Sequence, residues 1–252
     1  MHPSYKEQKI LVHYKRLPTT TRTASTHPAA AVLKYTNCDF TPVQTPQQPT
    51  TFHYQDLTIE VDPDVYDPAE DTFLLLQTIH PQPGTSVLEL GTGCGIIALA
   101  CARNGASVVA SDINPHAVRN CRRNLKRNQP RLTGTLDVRH GDLFSVLRPD
   151  ERFDLIVFNP PYVPTPPEET TEDWLDLATS GGDDGLQVTT RFLTDVRDYL
   201  TPMGHAYIIV SSHSPQPTLH RCLKEHQLKG TIVGTQRFED EEISCYRLAP
   251  TD

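Results

Sequence analysis

The heptapeptide FNPPYVP at Phe158–Pro164 directly follows FDLIV, an apolar run of the kind that forms a buried strand. Two consecutive prolines donate no backbone hydrogen bonds and hold an extended path. A chain with 22 prolines could use such a segment simply as a stiff turn. Its residue types also suit a specific task. The Asn159 side-chain oxygen and the Pro160 carbonyl can each accept one N–H from a planar, weakly nucleophilic NH2 group. Pro161 fixes the direction of the Pro160 carbonyl, and Tyr162 offers an aromatic wall against a planar ligand. A side-chain amide or an aromatic exocyclic amine has this character.

Upstream, ELGTGCG (Glu89–Gly95) reads as a strand-to-helix turn. Gly91, Gly93 and Gly95 permit a sharp turn and a close backbone approach to a ligand, and the helix start offers unpaired N–H groups. The next strand, SVVASD, ends at Asp112, where a carboxylate can accept both hydroxyls of a ribose. Glu89 precedes the first glycine, and GDLF sets Asp142 at the end of a third strand, able to face an adenine edge. Three carboxylates at successive strand ends would repel a pyrophosphate and suit a cationic cofactor. That favours S-adenosyl-L-methionine over a dinucleotide.

The elements that must hold these residues alternate in the manner of a parallel α/β sheet. FHYQDLTIEV predicts a small hairpin, and PAEDTFLLLQTI a helix with Pro68 in its first turn and acidic Glu70 and Asp71 at its N-terminus. Strands follow at TSVLELG, SVVASD, GTLDVRHGD, RFDLIVF and HAYIIVSS. Helices are expected at IIALACARN, NPHAVRNCRRNLKRN, GLQVTTRFLTDVRDYL and PTLHRCLKEHQ. GTIVGTQRF and EEISCYRL predict a terminal hairpin, its last strand antiparallel. Pro164–Glu172 and Gly181–Gly185 read as a flexible rim, in which Glu168 and Glu169 could attract basic substrate residues.

Residues 1–50 are different in kind. They show one possible short helix near Tyr5–Leu17 and end in TPVQTPQQPTT, a linker-like composition. A basic, mostly disordered leader over 1–50 and a catalytic domain over 51–252 are expected. The leader carries six Lys/Arg and two Asp/Glu. The rest carries 17 basic and 29 acidic residues, a balance of -12 against the overall -8. An acidic body is a poor match for a phosphate backbone, which argues against nucleic acid as the main partner. No apolar run is long enough to span a membrane. The six scattered cysteines, without CxxC pairs, read as free thiols of a cytoplasmic protein. Cys94 reads as a small filler within the glycine loop. The 11 histidines lack HxxxH or HxH spacing with carboxylates, so no metal site is expected.

VYDPAEDTFLLL, LELGTGCG, SDINPHA, GDLF, FNPPYVPTPPEE and GGDDG occur in this order over about Asp64 to Leu248. In these motifs the sequence resembles class I (Rossmann-like) methyltransferases, and among them the HemK2/Mtq2 branch of release factor glutamine N5-methyltransferases. The resemblance implies a seven-stranded, mostly parallel sheet of order 3-2-1-4-5-7-6 with helices on both faces. It implies cofactor contacts at Thr72, Glu89, Gly91, Asp112, Asp142, Leu143 and Asn159, with Gly93 in the same glycine loop. The implied substrate is the GGQ glutamine of a class I release factor, held by Asn159, Pro160, Pro161 and Tyr162. It also implies a small zinc-binding, Trm112-like activator docked along the exposed GTLDVRH strand. The N6-adenine methyltransferases share the NPPY motif and remain the alternative. In one place the chain departs from the pattern: ATSGG stands where related sequences often read AWAGG, with Thr179 at the tryptophan position. Trp174 lies five residues earlier.

Overall fold

Apolar segments without polar alternation form the middle of the main sheet. The computed structural model describes residues 48–251. The expected leader lies outside the described residues except for its last three, and so do the helix near Tyr5–Leu17 and Cys38. Strand β3 (Ser86–Leu90) is buried along most of its length, as is β6 (Phe153–Phe158). Strands buried on both faces lose the two-residue polar rhythm of a half-exposed strand. Beyond them run β4 (Ser107–Asp112), β5 (Thr135–His140), β7 (Leu200–Ser211), β8 (Leu228–Arg237) and β9 (Glu242–Pro250). The hydrogen-bonded order is β5-β4-β3-β6-β7-β9-β8. Counted from β3 as the first core strand, this is 3-2-1-4-5-7-6, the order expected. Only β9 runs against its neighbours, pairing antiparallel with both β7 and β8.

Side chains alternate across this sheet into two cores. Val87, Leu155, Val157 and Ile209 face helices α1 (Glu70–Thr78) and α2 (Ile96–Arg103), where Leu75 and Leu99 are fully buried. Leu88, Ile156 and Ile208 face α5 (Gln187–Asp195) and α6 (Gln216–Glu225) through Phe192, Leu193, Leu219 and Leu223. The long helix expected after GGDDG is shorter than its sequence pattern. It tightens to a 3-10 turn at Val196–Tyr199, and the chain enters β7 at Leu200. A second short helix, α4 (Trp174–Thr179), was not expected. It starts where the Asp173 side chain accepts from the Leu175 N–H.

A separate antiparallel hairpin, β1 (Thr50–Tyr54) with β2 (Leu57–Val61), matches the expected FHYQDLTIEV element. Its docking is unusual. Helix α3 (Pro115–Asn128) presents Asn120, Asn124 and Asn128, spaced four apart and fully buried, to the edge of β2. Asn128 Oδ1 accepts from Thr58 N–H at 2.9 Å, Asn124 Oδ1 from Glu60 N–H at 3.0 Å, and Asn120 Oδ1 from Asp62 N–H at 3.0 Å. The same amides donate back to the carbonyls of Thr58 and Glu60. A helix face thus pairs with the strand as a neighbouring strand would, satisfying backbone groups otherwise left orphaned. Outside this ladder, Arg123 and Arg127 pair with Glu60.

The hairpin leads through Asp62–Ala69 to α1. Asn114 caps α3, accepting from His116 N–H at 2.8 Å, and donates to the Asp64 carbonyl at 2.8 Å. This pins the connection. Pro68, expected in the first helical turn, lies before it, because α1 opens at Glu70 with Ala69 as an extended N-cap.

Candidate active site

Parallel strands β5, β4, β3 and β6 end at one edge of the sheet, with β3 and β6 diverging to opposite connections. Ligands of open α/β sheets bind beyond strand C-termini at such a switch point. Register places Leu90 beside both Ser111 and Phe158, and Asp112 beside His140. The glycine loop, Asp112, Asp142 and Asn159 therefore leave the sheet side by side.

Gly91, Gly93 and Gly95 all hold positive φ, at 64°, 54° and 86°. A Cβ on Gly95 would lie 2.5 Å from Cys121 Sγ. Asp112 braces the loop: its Oδ2 accepts from Gly93 N–H and its Oδ1 from Asn114 N–H, both at 2.8 Å. A carboxylate has about four lone-pair directions, so each oxygen retains capacity for a hydroxyl. Burial pushes the Asp112 carboxyl upward against the pull of these N–H bonds.

Glu89 and Asp142 revise the picture of three free carboxylates. Glu89 is buried, and its Oε2 accepts from Thr92 Oγ1 at 2.6 Å and Ala98 N–H at 3.0 Å, bracing the start of α2. Burial pushes its carboxyl up to about 8. Asp142 pairs with Arg191 of α5. Next to it, Leu143 holds φ at 45°, a left-handed conformation that costs a leucine roughly 1–2 kcal/mol. Strain of this kind concentrates at ligand sites. Burial pushes the Cys94 thiol up to about 12, which fits a filler and not a nucleophile.

Asn159 and Tyr162 meet at a residue the sequence reading treated only as a helix-dipole acid. Asp71 is 2% exposed. Its Oδ2 accepts from Asn159 Nδ2 at 3.0 Å, from Tyr162 Oη at 3.1 Å and from Tyr66 Oη at 3.1 Å. Its Oδ1 accepts from the Thr72 N–H and from Thr72 Oγ1 at 3.1 Å. Burial, then the nearby Asp71, pushes the Tyr162 phenol upward, so it remains a donor. Asn159 Oδ1 is buried and has no hydrogen-bond partner among the described residues. Pro160 is buried beside it, and Pro161 is half-buried.

Backbone hydrogen bonds join the segment after NPPY to the Thr179–Gly182 stretch, the two parts expected to form a rim. Val163 N–H donates to Thr179 O at 2.9 Å, Gly181 N–H to Val163 O at 2.8 Å, and Thr165 N–H to Gly182 O at 2.9 Å. Gly185 lies so close to the Tyr162 carbonyl that a Cβ would sit 2.4 Å from it. The Thr179 hydroxyl bonds back onto its own helix at Leu175 O and Asp176 O. The Trp174 ring instead lies 6.5 Å from that of His116, at the start of α3. Glu168 and Glu169 are exposed, and so are Val163, Leu175 and Leu177 along the same rim.

Comparison with known proteins identifies relatives of the chain. Residues 58–174 match the Methyltransferase small domain family. The chain is 35% identical over 196 residues to a Methanocaldococcus jannaschii protein named by similarity as a protein N5-glutamine methyltransferase, spanning 76% of this chain and 96% of that one. It is 34% identical over 198 residues to human methyltransferase HEMK2, spanning 73% and 89%. Among solved structures, the E. cuniculi Mtq2–Trm112 complex, responsible for methylation of the translation termination factor eRF1, superposes with a TM-score of 0.57. The match has 25% identity and covers 75% of this chain and 99% of that one.

Proposed function

Because the chain belongs to the protein N5-glutamine methyltransferase family, we propose that it methylates the GGQ glutamine of a class I release factor, using S-adenosyl-L-methionine. One observation of the site supports methylation of a planar NH2 group, Asn159 Oδ1, a buried acceptor without a partner beside a rigid proline pair, and the relatives' names favour a glutamine as its owner. An unsatisfied buried acceptor costs about 1–3 kcal/mol, a cost that an incoming N–H donor removes.

The cofactor supplies an electrophilic methyl group when bound. Asp112 would take the ribose hydroxyls, with Gly91 and Gly93 allowing close backbone approach. Asp142 and Leu143 would border the adenine, and Glu89 would support the loop from beneath. Thr72 spends its hydroxyl proton on Asp71, so towards a ligand it can only accept, which suits an ammonium group.

A glutamine nitrogen is a poor nucleophile because its lone pair is shared with the carbonyl. Asn159 Oδ1 and the Pro160 carbonyl would each take one of its N–H bonds, fixing the nitrogen and favouring pyramidal geometry. Positioning of this kind contributes on the order of 7 kcal/mol in well-oriented cases. Tyr162 and Pro161 would wall the planar amide, and the exposed Val163, Leu175 and Leu177 would give the peptide an apolar footing. The product nitrogen loses its extra proton to water, so no general base is needed.

We further propose a small zinc-binding partner of the Trm112 kind at β5. Among the described residues this strand is the outermost of its side of the sheet and pairs only with β4. An unpaired edge can take a strand from a partner. Co-expression with such a partner should raise soluble yield and activity; full activity from the purified single chain would contradict it.

The function is tested by offering labelled cofactor with a release factor carrying GGQ, with its Gln→Ala variant, and with DNA. Label is expected only in the intact factor. Label in DNA alone would refute the assignment.

A further inference from the structure

We infer that Asp71 is a positioning residue that sets which atom of the Asn159 amide faces the substrate. The inference rests on the glutamine reading of the site. An asparagine side chain is nearly symmetric in shape, so packing alone does not choose between its oxygen and its nitrogen. If the nitrogen turned towards the substrate, two NH2 groups would face each other and no bond would form.

Asp71 removes that ambiguity. Five donor groups from four residues converge on its two oxygens: Tyr66, Tyr162, Asn159, and the Thr72 N–H and hydroxyl. A carboxylate only accepts, so the one atom Asn159 can turn towards it is Nδ2. Oδ1 must then point away, and it is the atom left without a partner. The same carboxylate holds Thr72, next to it in the chain, and Tyr162 of the NPPY segment. It therefore joins the start of α1 to the end of β6 across 88 residues.

Asp71→Asn tests this with little change in shape. An amide at this place offers one acceptor and one NH2 to a ring of donors. The Thr72 backbone N–H cannot reverse and holds the new oxygen on its side, so the NH2 faces Asn159 and the tyrosine hydroxyls, and Asn159 gains a reason to flip. The full-length chain, with its activating partner where required, should show a kcat lower on the order of 10²-fold. The melting temperature should drop modestly as charge-assisted bonds become neutral ones, and S-adenosylhomocysteine affinity should fall far less than kcat. Tyr66→Phe removes one donor but leaves the Asn159 bond, and should lower kcat far less than Asp71→Asn does.

A second readout needs no substrate. In protein labelled with 15N-asparagine, the Asn159 side-chain NH2 should exchange slowly with solvent, and Asp71→Asn should speed that exchange. If wild type labels no glutamine but this NH2 behaves as described, the substrate reading fails and the positioning role stands. Unchanged kcat and unchanged exchange in Asp71→Asn would overturn the inference. So would a loss of activity explained wholly by loss of cofactor affinity.

Discussion

Asn124 brackets Glu60, accepting from its N–H at 3.0 Å and donating to its carbonyl at 2.7 Å, while also donating to Cys94 O at 2.9 Å. One side chain thus joins the hairpin to the glycine loop. Asn124→Ala would leave buried backbone groups unpaired, each costing about 1–3 kcal/mol. We expect a lower melting temperature together with weaker S-adenosylhomocysteine binding in calorimetry, because the loop loses a tether. Replacing the exposed Arg127, which pairs with Glu60 at 2.6 Å, should change stability by less than about 1 kcal/mol.

Gly95 cannot carry a side chain without conflict. Its φ of 86° costs an alanine roughly 1–2 kcal/mol, before the overlap with Cys121 is counted. Gly95→Ala should therefore lower the denaturation midpoint by more than that strain alone. In a double-mutant cycle, Cys121→Ala should recover part of the loss by removing the sulfur, leaving a non-additive coupling between the two sites.

Glu89 gives stability a pH dependence of definite sign. Burial raises its folded carboxyl from 4.5 to about 8. The folded state therefore binds this proton more tightly than the unfolded chain. The contribution is fully present below pH 4.5 and is lost as pH rises through 8. Glu89→Gln can keep one acceptor for Thr92 and Ala98 without a titrating proton. Its melting temperature should stay near wild type at pH 5 and exceed wild type at pH 9. Parallel melting curves across that range would contradict the assignment.

The features legible in the sequence were those carried by local pattern. Continuous apolar runs marked β3 and β6, the glycines marked their turn, and NPPY announced a rigid acceptor pair, because each depends on neighbours in the chain. What escaped depends on distant partners. Asp71 looked like an ordinary helix-start acid, since its bond to Asn159 spans 88 residues. The ladder of Asn120, Asn124 and Asn128 has a readable spacing of four, but its meaning lies in a strand some 60 to 70 residues earlier. Helix α4 is only six residues long, too short for a periodic signal, and forms with the Val163–Ser180 bridge beside it. Glu89 and Asp142 were placed at the correct strand ends, yet their partners Thr92, Ala98 and Arg191 change how much free charge they present.

The most direct test of the account is peptide-resolved mass spectrometry of a release factor after incubation with cofactor and the chain, with the proposed small partner present. The glutamine of GGQ should gain one methyl group on its side-chain nitrogen. Asn159→Ala should reduce the rate on the order of 10²-fold while still binding S-adenosylhomocysteine. An unmodified glutamine with the wild-type chain, or an Asn159→Ala variant as fast as wild type, would contradict it.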